Sequence, residues 1–223
     1  MNISSKEFLY ENISIDVIPF IEKKIIKTSE IKNKVHHYSN KIITAVFTSK
    51  TAVSSVASMF KNLPSWKIYC IENTTKNAVE LYFPGCAIAG TAGNAGDLAK
   101  IIIANNETGI VFFCGNKRLG DLPVLLKDAG IHVEECIIYE TNILGKEILK
   151  KYDAILFLSP SAVQGFFENN TPGSDTVFFS MGEKTTESIH HFSENQIHIA
   201  SYPDKEKLLS EAISFLRQQT ISQ

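Results

Sequence analysis

The sequence predicts an α/β protein built from two similar domains, each a doubly wound parallel sheet. Three observations carry that expectation. First, residues 45–53, AVFTSKTAV, return as residues 155–163, ILFLSPSAV, so that Ser159 follows Ser49 by 110 residues (159 minus 49). Second, the same spacing carries Tyr69 onto Phe179, Asn73 to Thr75 onto Glu183 to Thr185, and Leu98 onto Leu208 without a gap, the mark of an internal repeat. Third, short β-branched and aromatic runs alternate with amphipathic stretches, which gives each strand a crossover helix.

Residues 1–11 read as helix, and Ile13, Ile15 and Val17 then alternate with Ser14 and Asp16 as a strand half exposed on one face. The mixed residues 22–34 lead from one domain into the other, and residues 35–40 precede the strand 42–47. A helix over 51–60 follows, with Val53, Val56, Ala57 and Phe60 on one face and Leu63-Pro64 closing it. Residues 67–71 are the next strand, with the capping types Asn73, Thr74 and Thr75 at its end. Ala87 and Ile88 begin a short strand that runs into GTAGNAG, where Asn94 caps a helix through residues 98–103. The buried-type strand 110–114 ends in Gly115, Asn116 and Lys117, and the next helix sets Leu122, Leu125, Leu126 and Ala129 on one face before Gly130 stops it. Residues 131–139 alternate and point back toward the first domain. The second copy repeats the order: strand 154–158, helix from Ser161, strand 176–181, turn 182–185, strand 197–200, helix 205–217.

These elements divide the chain into a discontinuous outer domain, residues 1–22 with 142–223, and a central domain, residues 23–141. In the central domain a strand and helix at 110–129 precede the strand 131–138; the strand 13–18 has only a helix before it, so the outer domain is expected to lack its first strand.

Composition excludes several classes. A net charge of −2 over 223 residues, with the 22 Lys and Arg dispersed, lacks the basic footprint of a nucleic-acid binder. No apolar run approaches the ~20 residues that span a bilayer, and the first residues show no signal-peptide pattern, so a cytoplasmic protein is expected. Cys70, Cys86, Cys114 and Cys136 have no CxxC spacing and read as reduced thiols, three of them in apolar strands. Gly90, Gly93 and Gly96 form GxxGxxG, not a dinucleotide fingerprint, and the adjacent pairs His36-His37 and His190-His191 cannot face one metal from a helix.

The candidate site lies where strands deliver helix N-termini, because backbone N–H groups and the positive end of the helix dipole gather anions there. Ser49, Thr75, Ser159, Ser161 and Thr185 all fall at such places. Each read singly is as readily an ordinary cap, contributing about 1 kcal/mol to its helix. As a group they point to a ligand, since both copies place theirs at the same strand ends. Lys50, Lys117 and Arg118 are available to pair with carboxylates.

In order and spacing these pieces resemble the uroporphyrinogen-III synthase family. The resemblance rests on Ile18-Pro19, Phe47-Thr48-Ser49 with Ala52-Val53, Thr75, Gly93-Asn94-Ala95 with Leu98, and Cys114-Gly115-Asn116 with Leu122 and Gly130. It continues through Ile138-Tyr139-Glu140-Thr141, Phe157 with Ser159-Pro160-Ser161-Ala162-Val163, and Gly182 with Thr185. The family implies two flavodoxin-like (Rossmann-like) domains joined by a two-stranded connection, with the active site in the cleft between them. The chain departs from the family pattern in lacking an opening strand that ends in Thr-Arg-Pro. It also has Glu72 in place of glycine, Leu119 in place of arginine with Arg118 beside it, and Thr186 in place of alanine.

The resemblance implies a chemistry: hydroxymethylbilane loses water and closes to uroporphyrinogen III with its last pyrrole ring inverted, using no metal or organic cofactor. Loss of the terminal hydroxyl leaves an azafulvene, the far ring attacks through its substituted carbon, and a spiro intermediate fragments and recloses. Pyrrole electrons drive these steps, so the protein chiefly orients a substrate bearing eight carboxylates. The site residues that follow are Tyr139 as the acid for the departing hydroxide and Ser49, Thr75, Gly115, Asn116, Lys117, Ser159, Ser161 and Thr185 as substrate contacts. A monomer with a small-molecule substrate and neither nucleic-acid nor membrane partner is expected. The rival reading is a two-lobed protein that binds an anionic tetrapyrrole or another ligand without converting it.

Overall fold

A computed structural model describes residues 6–10, 13–60, 64–118 and 120–221. In chain order its elements are β1 (Lys6–Tyr10), β2 (Ile13–Val17), β3 (Ile21–Ile25), α1 (Ser29–Ser39), β4 (Thr44–Phe47), α2 (Lys50–Ala57), β5 (Lys67–Ile71) and α3 (Thr74–Tyr82). There follow β6 (Ala87–Ala92), α4 (Ala95–Ala104), β7 (Gly109–Gly115), α5 (Asp121–Asp128), β8 (His132–Ile143), β9 (Ala154–Phe157), α6 (Pro160–Phe167), β10 (Val177–Ser180), α7 (Glu183–His190), β11 (Ile197–Ile199) and α8 (Lys205–Ile221). Two compact units emerge, one of Met1–Glu22 with Asn142–Gln223 and one of Lys23–Thr141. The chain changes unit inside β3 and again inside β8.

In the unit 23–141 the sheet runs β3-β8-β7-β4-β5-β6. The pairs from β8 to β6 are parallel. At the β3 edge the Ile26 N–H donates to the Ile138 carbonyl and the Leu144 N–H to the Phe20 carbonyl, both at 2.9 Å, which sets β3 antiparallel to β8 and makes the sheet mixed. One face buries Phe47, Val53, Val56, Trp66, Val79 and Phe113. The other buries Val46, Tyr69, Leu98, Ile102, Phe112 and Leu126. Because helices cover both faces, the central strands β4, β5 and β7 read as unbroken apolar runs rather than alternating ones.

Helix α1 lies in the stretch that reads as mixed. Its helical signals are nonetheless there: the Thr28 hydroxyl caps the Ile31 N–H at 3.3 Å, and Ile31, Val35 and Tyr38 follow at helical spacing onto the core. In α5 Leu122 and Leu126 are buried, whereas Leu125 and Ala129 are exposed, so the apolar stripe is narrower than expected.

In the other unit β9, β10 and β11 form a three-stranded parallel sheet, and β1 pairs antiparallel with β2 in a separate hairpin. The helix expected over residues 1–11 is therefore corrected: residues 6–10 are a strand, where an aromatic-rich run finds an antiparallel partner in Ile13–Val17. Residues 1–5 and 11, like Leu63 and Leu119, lie outside the described residues. The hairpin is tied to its unit by Asp16, which accepts from Lys150 Nζ at 2.8 Å and the Tyr152 hydroxyl at 2.6 Å. Phe20, Phe157, Val163, Phe166 and Phe178 make one core face and Val177, Phe179, Leu208 and Ala212 the other.

The repeat is structural. Ala45 pairs with Ile68 and Ile155 with Phe178, and Val46 pairs with Tyr69 and Leu156 with Phe179, the same register displaced by the repeat length.

Candidate functional site

The carboxyl end of β4 passes into α2 through Ser49, whose extended backbone turns its hydroxyl onto the first helical turn. Ser49 Oγ accepts from the Ala52 N–H at 3.2 Å and lies 3.1 Å from the Tyr139 hydroxyl. Sequence reasoning names both residues but not their contact. Tyr139 is 8% exposed. Burial pushes its phenol above the ordinary range, with the Ser49 hydrogen bond working the other way, so it carries its proton at neutral pH.

Two local features aim that phenol. The register of β8 against β7 shifts between Cys114 and Gly115, with Cys114 opposite Ile137 and Gly115 opposite Tyr139. This is a one-residue bulge, and it changes the phase of the strand: Cys136 and Ile138 are buried before it, Tyr139 and Thr141 after it. Plain alternation over 131–139 does not foresee two adjacent inward residues. Gly115 is the second feature. A Cβ there would lie 2.5 Å from Cε2 and Cζ of Tyr139, so only glycine lets the ring lie against the end of β7. Asn116 then closes the corner: its N–H donates to the Tyr139 carbonyl at 3.2 Å and its Oδ1 accepts from the Thr141 N–H at 2.8 Å. Its side-chain oxygen is thus engaged in holding β8.

Lys23, on β3, is not singled out by the sequence. Its Nζ stands 5.6 Å from the centre of the Tyr139 ring. The side chain keeps solvent-exposed surface, yet the protein packed around its ammonium pushes it below the ordinary range, and the Lys50 charge pushes the same way. Lys117 is exposed, and Arg118 is engaged with Glu135, which Lys127 also meets at 3.3 Å.

Thr75, at the carboxyl end of the neighbouring β5, is the second residue of α3 and not its cap. The cap position is Asn73, at φ 59° and ψ −122°, a turn geometry that favours glycine and that Asn tolerates better than most residues. Thr75 is buried. Glu72 is exposed and its N–H donates to the Ala92 carbonyl at 2.9 Å.

The other unit carries the matching set. Ser159 caps α6 as Ser49 caps α2, accepting from the Ala162 N–H at 3.3 Å. Ser161 stands second in that helix, behind Pro160. Thr185 is the third residue of α7, buried, its N–H donating to the Gly182 carbonyl at 3.0 Å; the cap is Gly182. The expected caps thus divide into two true caps, Ser49 and Ser159, and three first-turn residues: Ser161, since Ser159 already caps α6, and Thr75 and Thr185, since at α3 and α7 the backbone turn takes the capping position. Structure brings Ser49, Gly115, Asn116 and Tyr139 together with Lys23.

The four cysteines are free. Burial raises Cys70 and Cys136 to about 11 and Cys114 to about 12, which leaves them protonated and unreactive at neutral pH. Among the described residues no helix is long and apolar enough to cross a membrane.

Comparison with known proteins adds to this geometry. The fold is similar to the uroporphyrinogen-III synthetase of Helicobacter pylori, at 18% identity over 88% of this chain and 91% of that one, with a TM-score of 0.66. It is also similar to a mutant uroporphyrinogen III synthase of Thermus thermophilus, at 15% identity over 91% and 88% of the two chains and a TM-score of 0.65. The wild-type enzyme of that bacterium matches at 14% identity over 89% and 86%, with a TM-score of 0.53. At these identities the likeness is one of fold. Family membership comes from the sequence itself, because the family model for uroporphyrinogen-III synthase HemD matches residues 11–210. With that match spanning most of the chain, it belongs to the uroporphyrinogen-III synthase family, the cyclising lyases of haem biosynthesis.

Proposed function

We propose that Tyr139 is the acid of the cyclisation and that Ser49 sets the direction of its proton. The observation that carries this reading is the 3.1 Å contact between the Tyr139 hydroxyl and Ser49 Oγ at the end of β4. Ser49 Oγ already accepts from Ala52, so its own hydrogen is available to donate to the phenol oxygen. The phenol proton is then left for the hydroxyl of hydroxymethylbilane, which departs as water and leaves the azafulvene. Gly115 makes room for the ring and Asn116 fixes the backbone that follows it, from the Tyr139 carbonyl to the Thr141 N–H.

In the same reading the substrate's carboxylates are taken by first-turn N–H groups and hydroxyls: Ser49 and Thr75, with Lys117, from the domain 23–141, and Ser159, Ser161 and Thr185 from the domain formed by 1–22 and 142–223. A net charge of −2 is compatible with this because helix starts supply local positive potential. The protein works as a single chain in the cytoplasm, on a small-molecule tetrapyrrole.

The test is a coupled assay in which hydroxymethylbilane is generated in place and the products are oxidised and separated by isomer. The expected result is mainly the III isomer. Product indistinguishable from the spontaneous I isomer, together with tight binding of the tetrapyrrole, would replace the synthase reading by that of a binding protein.

A further inference from the structure

We propose that Lys23 is a substrate-positioning residue that holds a carboxylate of the terminal pyrrole ring, the ring carrying the departing hydroxyl. The inference rests on the reading of Tyr139 as the acid.

The register places Lys23 where it is needed. The hydrogen bonds that bracket the β3–β8 pair, Ile26 to Ile138 and Leu144 to Phe20, set Lys23 opposite Thr141 and therefore diagonal to Tyr139 on one face of the sheet. A long side chain at a diagonal position reaches across an aromatic ring, and Nζ is found 5.6 Å from the centre of the Tyr139 ring. The phase change at the β8 bulge is what puts Tyr139 and Thr141 on this face together.

The charges around Lys23 are unbalanced. Its ammonium is crowded by protein and feels Lys50, the first residue of α2 and neighbour of Ser49. Among the described residues neither Lys23 nor Lys50 has a carboxylate partner. Burial and the Lys50 charge both disfavour the charged form of Lys23, and the attraction of an arriving carboxylate offsets both. That relief is affinity built in before binding. A carboxylate on Nζ sets its pyrrole ring beside the Tyr139 face, so the hydroxymethyl group of that ring lies within reach of the phenol.

The experiment compares Lys23→Gln, Lys23→Arg and Lys24→Gln in the isomer assay, with thermal melting of each. Lys24 is exposed and on the opposite face of β3, so it controls for general loss of charge. Lys23→Gln is expected to raise KM for hydroxymethylbilane by about tenfold while kcat stays within about threefold, the loss of one charge-assisted contact. Lys23→Arg restores KM and Lys24→Gln leaves it unchanged. Equal KM values for wild type and Lys23→Gln, or equal effects of Lys23→Gln and Lys24→Gln, would overturn the assignment. Binding of uroporphyrinogen III, measured at equilibrium on the same variants, gives a readout independent of turnover. If wild type makes no III isomer, the synthase reading falls, and the Lys23 contact is then kept or rejected by whether Lys23→Gln weakens that binding by about tenfold.

Discussion

Tyr139 and Gly115 are a matched pair, and each can be changed alone. Tyr139→Phe keeps the ring and removes only the proton and the hydrogen bond to Ser49. Its thermal stability is expected to fall by about 1 kcal/mol, while kcat for the III isomer drops at least about tenfold; unchanged kcat would mean that another group protonates the leaving hydroxyl. Gly115→Ala does the reverse. It removes no polar atom but drives a methyl to 2.5 Å from the ring, so the tyrosine must swing away. We expect a destabilisation of about 1–3 kcal/mol, read from urea unfolding, and an activity loss at least as large as that of Tyr139→Phe. The sequence displays both residues, since a tyrosine ending an apolar strand and a glycine ending its neighbour are visible as letters. Their contact is not visible, because it depends on a bulge that no periodicity announces. Lys23 is hidden for a different reason: Lys23 and Lys24 are identical in type, and only the register tells which of them faces the ring.

At the scale of elements, the opposite end of the same sheet is held by one carboxylate. Glu107, between α4 and β7, accepts from Thr44 Oγ1 at 3.0 Å and from the Tyr69 hydroxyl at 2.7 Å, and pairs with Lys67. It thereby joins the amino ends of β4 and β5, while Asn105 Nδ2 donates to the Tyr69 hydroxyl at 2.9 Å. Desolvation works to raise the Glu107 carboxyl, but the hydrogen bonds from Lys67, Tyr69 and Thr44 outweigh it and hold it below the ordinary range. A carboxyl lowered in this way stabilises the fold fully above its unfolded pKa of about 4.3, and that contribution disappears as pH falls through the lower folded value. Glu107→Gln should cost about 1–3 kcal/mol at pH 7 and flatten the loss of stability between roughly pH 5 and 3. Urea midpoints measured across that range would show a parallel pair of curves if Glu107 has no such part. Most elements are legible in the sequence: β5 matches residues 67–71 to the residue, and Asn94 caps α4 as its position suggests, its Oδ1 accepting from the Asp97 N–H at 2.9 Å. Residues 6–10 are not, because a five-residue run is too short for period to separate helix from strand, and a partner strand decides.

At the scale of the whole molecule, the repeat sets up an internal comparison. β4 hydrogen-bonds to β5 on one side and β7 on the other, whereas β9, its counterpart, pairs with β10 alone among the described residues. β4 is correspondingly buried over Ala45, Val46 and Phe47, and β9 is buried only at Phe157. Amide exchange should reflect this, with protons of β4 and β7 slower than those of β9 and β11 by about tenfold or more. Equal protection of the two copies would count against the contrast. The repeat length, visible as 110 residues between Ser49 and Ser159, is the strongest single clue to the architecture because it survives as register and not merely as similarity.

β8 belongs to both units, and its bulge divides it into two phases. Heredity therefore reads this strand differently from the rest of the sheet. A codon exchanged within it alters one side chain. A codon inserted between Ile138 and Tyr139 would turn the phenol away from Ser49 and bring Glu140 inward at the place of Thr141, with every downstream letter of the gene intact.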